Sequence, residues 1–193
     1  MLDHSTGDEK NLADRRDQLA RLLRLDTQFS EIIATWAGFG MQGEQTAPAR
    51  SVQVEEDQAP LLGVPVATSV VRRDVHLVSR VAGPEFLAAA VTEFVYEPRL
   101  GLRLDQRRAV RAGSAPLEHV VNQLRRNVCY ITTPATQQGP DDVALRATTL
   151  LLRAGTPVAV VTEVVYWRLI THRMDHAAST TAVSRPPHSR SAW

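Results

Sequence analysis

An α+β fold, with an antiparallel sheet of five or six strands and helices packed on one of its faces, is predicted by three features of the sequence. The first is a β-rich stretch from residue 66, VATSVVRRDVHLVSRVAGPEFLAAAVTEFVYEP, broken by an AGPE turn signal. The second, VALRATTLLLRAGTPVAVVTEVVYWRLI from residue 143, repeats that plan around AGTP. Arg73, Leu77, Arg80, Ala82-Gly83, Thr92-Glu93 and Val95-Tyr96 of the first overlay Arg146, Leu150, Arg153, Ala154-Gly155, Thr162-Glu163 and Val165-Tyr166 of the second. This is an internal hairpin repeat, the first copy three residues longer between its arginine and its glutamate. The third feature is apolar residues at helical spacing before and between the hairpins.

Taken in order, residues 1–10 lack apolar periodicity and are expected to be disordered. In NLADRRDQLARLLRL, Leu12, Leu19, Leu22 and Leu23 recur on one helical face, with Asn11 as the expected N-cap. FSEIIATWAG reads as a second helix, capped by Thr27, with Phe29, Ile32, Ile33 and Trp36 inward and Gly38 and Gly40 ending it. From 41 to 65 the chain reads as irregular, with an edge strand in ARSVQVEE. Between the hairpins SAPLEHVVNQLRRN reads as a helix, with Pro116 near its start and Leu117, Val120, Val121 and Leu124 inward. The tail from 174 is small, polar and Pro-containing, so the domain expected is 11–173 with 174–193 disordered. A chain of 193 residues suits one such domain.

Composition excludes several functions. With 22 basic and 21 acidic residues the net charge is +1, which gives no bulk electrostatic drive toward nucleic acid or an anionic membrane. Arg72, Arg73, Arg107, Arg108, Arg111, Arg125 and Arg126 nevertheless crowd the middle of the chain, which suits a local anion site. A single cysteine, Cys129, rules out an intramolecular disulfide and a multi-cysteine metal site, and reads as a small buried hydrophobe. The first residues are polar and acidic, unlike a signal peptide, and no run approaches the ~20 apolar residues of a membrane span. A cytoplasmic protein without cofactor or metal is expected, monomeric or weakly dimeric.

Chemistry centres on VAVVTEVVY, where Glu163 shares a strand face with Val161 and Val165. A carboxylate there needs a partner or a pocket, because burying it alone costs several kcal/mol. Arg73 shares its own face with Val75 and Leu77, and Glu93 holds the equivalent place in the other hairpin. Two readings stand: a buried Arg73–Glu163 pair that fixes strand register, or a cavity in which Arg73 grips a substrate carboxylate and Glu163 moves a proton. Both place Arg73 and Glu163 side by side.

The order of these features resembles the chorismate–pyruvate lyase family over roughly residues 15–170: two N-terminal helices, an R-x3-L strand, the x-P-L helix start in SAPLEH, then G-x-P and T-E. The resemblance implies that Arg73 contacts a chorismate carboxylate, that Glu163 sits by the reacting ring, and that the backbone N–H of Leu117 helps hold product. Glu93 and Arg146 complete the expected substrate-binding set. Where the family commonly has glycine after that leucine, this chain has Glu118, and its second hairpin keeps only Arg146 and Arg153 of a larger basic group. The implied reaction is a cofactor-free elimination of pyruvate from chorismate to give 4-hydroxybenzoate, driven by aromatisation. Two alternatives accompany it: a lyase-like pocket recruited to another elimination or cyclisation, and a stand-alone effector-binding domain, since the fold also serves regulators of the GntR type.

Overall fold

The computed structural model describes residues 5–81, 86–112, 116–134 and 139–172. Its elements are α1 (Ser5–Leu22), α2 (Phe29–Ala37), β1 (Gln42–Gln53), α3 (Ala59–Leu62), β2 (Ser69–Ser79), β3 (Phe86–Val95), a 3₁₀ turn (Glu97–Arg99), α4 (Leu104–Ala112), α5 (Leu117–Val120), β4 (Leu124–Thr132), β5 (Val143–Arg153) and β6 (Thr156–Tyr166). A final helical stretch covers 167–172. Six antiparallel strands form one sheet in the order β1-β2-β3-β6-β5-β4. The two repeated hairpins therefore meet back to back at its centre, through β3 and β6.

One face of this sheet is the core. Val71, Val75 and Leu77 of β2, Val91 and Val95 of β3, Val161 and Val165 of β6 and Leu145 and Leu151 of β5 are buried there. Leu19 and Leu23 at the end of α1, Phe29, Ile33 and Trp36 of α2, and Leu169 and Ile170 of the last helical stretch join the same apolar cluster. Period-two burial on strands and i, i+3, i+4 burial on α2 are the two halves of one core. A smaller cluster, Val54, Ala59, Leu62, Val70 and Val160, seats α3 on the opposite, outer face.

Several local expectations are corrected. α1 begins at Ser5, so Asn11 lies inside a helix instead of capping it; Glu9 and Lys10 are adequate helix formers that extend it one-sidedly into solvent. Residues 5–10 are thus part of α1, while residues 1–4 and the tail from 173, where disorder is expected, lie outside the described residues. α2 is preceded by Gln28, not Thr27, and no side chain of its own caps it. β1 is longer than the edge strand expected, twelve residues, and its register shifts around Ala47 and Arg50 next to Pro48; a bulged, proline-bearing strand is a protected sheet edge. The helix expected from SAPLEHVVNQLRRN stops at Val120, Gln123 turns at a φ of 65°, and LRRNVCYIT is an edge strand. Cys129 is exposed on that strand, beside a bulge between Val128 and Tyr130. α4 was not expected, since Val110 is its one buried residue.

The hairpin between β5 and β6 turns at Ala154 and Gly155, both with positive φ (48° and 81°), as a two-residue turn matched to strand twist requires.

Candidate ligand site

Strand register decides which charged residues meet. Arg73 on β2 lies directly opposite Glu93 on β3, so both point to the core face. They are fully buried, at 0 % and 1 % exposure, and an Arg73 Nη1–H donates to Glu93 Oε2. In the second hairpin Glu163 lies opposite Ala147, and Arg146 opposite Val164. The three-residue difference between the repeats is odd. With a side-chain period of two, an odd offset sends Arg146 to the face opposite Glu163. Arg146 is exposed on the outer face, and the expectation that it joins Arg73, Glu93 and Glu163 is overturned.

Glu163 also lacks the partner expected for it. Its carboxylate accepts from Arg126 Nε at 2.8 Å and from Arg126 Nη2, and from Thr149 Oγ1 at 3.0 Å. Arg126 reaches it from β4, and its remaining amino group donates to the carbonyls of Leu23 at 2.5 Å and Leu25 at 3.3 Å. Its guanidinium carbon stands 5.8 Å from the Phe29 ring centroid. Carbonyls after a helix end have no intrahelical donor, so one guanidinium closes α1 and ties it to the centre of the sheet. Sequence reasoning missed Arg126 because RRN was read as the end of a helix. The signal lay in the alternation of Arg126 and Val128, which reads equally as strand.

The second oxygen of Glu93 carries the other notable contact. The backbone N–H of Leu117, at the start of α5, donates to Glu93 Oε1 at 2.6 Å. Arg73, expected on a substrate carboxylate, and the Leu117 N–H, expected on product, converge on the chain's own Glu93.

Beside this pair, Glu93, Glu118 and Glu163 line a cavity of about 10 Å³ closed by Phe29 and Pro116. That is about the space of one water, where pockets for drug-sized ligands run ~300–1,000 Å³. The cavity expected between Arg73 and Glu163 is not formed in this conformation: the space beside Glu163 does not include Arg73 in its lining and is far smaller than chorismate. Burial raises the carboxyl groups of Glu93 and Glu163 above their ordinary value, against the pull of Arg73 and the Leu117 N–H on one and of Arg126 on the other.

Glu118 is the third acid beside two guanidinium groups. Burial first, and the Glu163 charge second, push its carboxyl up to about 7. It accepts from the N–H of Ser30 at 3.4 Å and from Ser30 Oγ at 3.3 Å, while Ser30 Oγ also stands 2.7 Å from His119 Nε2. Glu118 thereby supplies from α5 the cap that α2 lacks in its own sequence. Because the folded chain holds this proton more tightly than an unfolded one, the stability it contributes is complete below about pH 4.5 and lost as pH rises through about 7. Glu118→Gln should match the parent near pH 5 and exceed it by about 1–3 kcal/mol at pH 8 in urea unfolding. A gap that does not widen with pH contradicts this assignment.

Neither a protein-family sequence profile nor a curated protein sequence matches the chain. Solved structures do. The effector domain of PhnF from Mycobacterium smegmatis is similar at 12 % identity and a TM-score of 0.51, over 72 % of this chain and 88 % of that domain. The fold is shared with effector-binding domains. The structure of PhnF itself gives the same identity and TM-score, and this chain covers 64 % of it. The ligand-binding domain of a protein classed with the GntR-family transcriptional regulators, from Bordetella bronchiseptica, is similar at 13 % identity and a TM-score of 0.49, over 65 % and 83 % of the two chains. At such identities the likeness establishes the fold alone. Near-neutral charge describes this domain's own surface and does not exclude a nucleic-acid partner. Among the described residues no helix is long and apolar enough to cross a membrane, and no group of His, Cys, Asp and Glu is placed to hold a metal ion.

Proposed function

We propose that the chain is a small-molecule-binding domain whose core-face receptor takes a ligand carboxylate in exchange for Glu93. The observation that carries this reading is the convergence of Arg73 and the Leu117 N–H on one buried carboxylate. Two donors held by separate elements make a carboxylate receptor, and a charge-assisted hydrogen bond of this kind is among the stronger ones. Phe29, Val91, Leu151 and Val161 around it favour a ligand with an apolar, flat body, such as a hydroxybenzoate. Entry requires α5 and the start of α2 to part, which breaks the hydrogen bonds of Glu118 and His119 with Ser30. Likeness to effector-binding domains supports binding without turnover. So does Glu163, whose two oxygens are both engaged by Arg126 and Thr149, which leaves a poor candidate for proton transfer.

Chorismate–pyruvate elimination is the second reading. The pairing of Arg73 with the Leu117 N–H favours it, because the resemblance places those two groups on substrate and product. Calorimetric titration with 4-hydroxybenzoate and a pyruvate assay on chorismate separate the two. Binding with chorismate left intact supports the effector reading, and pyruvate release establishes the lyase. Absence of both overturns the receptor. Glu93→Ala should bind 4-hydroxybenzoate at least about tenfold more tightly than the parent, since the competing internal carboxylate is gone.

A further inference from the structure

The outer face carries a second feature that the core-face receptor does not use. A groove of about 310 Å³ lies over β4, β5 and β6. Its floor is Thr148 and Thr162, which are register partners, with Val160 beside them. One wall is Tyr130, Thr132 and Arg146. Tyr130 pairs with Thr148 and Thr132 with Arg146, so the β4 bulge after Val128 is what brings the Tyr130 side chain to this face. The other wall is Asp57 and Gln58, with Leu61 of α3.

Valine or isoleucine would serve a sheet as well as threonine, but the floor here presents hydroxyls. Thr148 is 6 % exposed and lines the groove, so it sits in a recess and not on a flat surface. Arg72, Arg73, Arg111 and Arg126 are each held by a carboxylate. Among the described residues no carboxylate lies within ion-pair reach of Arg146. The groove thus sets the Arg146 guanidinium on one wall, the Thr148 and Thr162 hydroxyls on the floor, and the Asp57 carboxylate with the Gln58 amide on the other wall, while the Thr132 hydroxyl donates to the Arg146 carbonyl at 3.4 Å.

We propose that this groove binds a small ligand with an oxyanion at one end and hydroxyl or ammonium donors at the other. Arg146 takes the oxyanion through paired N–H donors, with the Thr148 hydroxyl beside it. Asp57 and Gln58 accept from the donor end. A neutral pair of opposed charges favours such two-ended molecules over a bare anion or an uncharged polyol. The site lies across the sheet from Glu93 and does not depend on the receptor proposed there.

The test is an amide NMR titration of the full chain with glycerol 3-phosphate and with serine, and separately with inorganic phosphate and with glycerol. Saturable shifts at Tyr130, Thr132, Thr148 and Thr162 are expected, with one of the two-ended probes tighter than phosphate or glycerol, and with the Leu117 amide unmoved. Arg146→Met, which keeps the apolar stem on an exposed position, should weaken that binding about tenfold. Thr162→Val should weaken it about threefold while the amide spectrum stays otherwise that of the parent. No saturable shift with either two-ended probe overturns the proposal. Shifts that track the exposed Arg107 and Arg108 of α4 and survive Arg146→Met overturn it too, as unspecific attraction.

Discussion

Replacing Arg126 by methionine is expected to lower stability by about 3–5 kcal/mol in urea unfolding, the usual cost of stranding one member of a buried ion pair. Methionine keeps the apolar stem beside Phe29 but removes every donor. Glu163, 2 % exposed, would then keep the Thr149 hydroxyl as its remaining hydrogen-bond partner, and the carbonyls of Leu23 and Leu25 would lose theirs. Removing the second charge as well separates pair from packing. In Arg126→Met with Glu163→Leu most of the loss should return, because an apolar pair of similar volume is often as stable as the ion pair it replaces. What should not return is the tie to the end of α1. A loss below about 1 kcal/mol for Arg126→Met would mean that Glu163 is simply protonated in the fold.

Arg73→Met is expected to cost a comparable amount, about 3–4 kcal/mol near neutral pH, with a different signature. Its partner Glu93 keeps the Leu117 N–H but loses the guanidinium and stays exposed to the charge of Glu163. The carboxyl, already raised by burial, rises further above its unfolded value. A group with a raised carboxyl pKa loses stability as pH rises, so the deficit of the variant should be large at pH 7–8 and shrink toward pH 4.5. Glu93→Gln in the same chain should remove that pH dependence. If the deficit of Arg73→Met is flat across this range, Glu93 is not the carboxylate it neutralises.

Much of this arrangement was legible in the residues, and what was not has a physical cause. The repeated T-E-x-V-Y strand put Glu93 and Glu163 on the core face, where both lie, and the two hairpins supplied the four central strands. Pairing was harder. Side-chain parity depends on one residue of register, and the overlay of the repeats hid an odd offset that sends Arg146 outward. Arg126 was invisible as a partner because its strand runs Arg125, Arg126 and Asn127 between Leu124 and Val128, a pattern as helical as it is extended. α4 buries a single valine and so had no face to detect. Glu118 was recognised as a departure from the lyase pattern, but its contact with Ser30 spans 88 residues of sequence, and local spacing holds no trace of such a contact.

The outcome for function follows from these pairings. A carboxylate expected to act on a substrate is locked by Arg126 and Thr149, and the receptor expected for a ligand carboxylate holds Glu93. The measurement that tests this most directly is an NMR titration of the parent chain with 4-hydroxybenzoate. It follows the Leu117 amide together with the side-chain carboxyl carbon of Glu93. Exchange predicts that both signals move along one saturable curve, and that Arg73→Met abolishes the movement. A ligand that binds while Leu117 and Glu93 stay where they are would contradict the receptor.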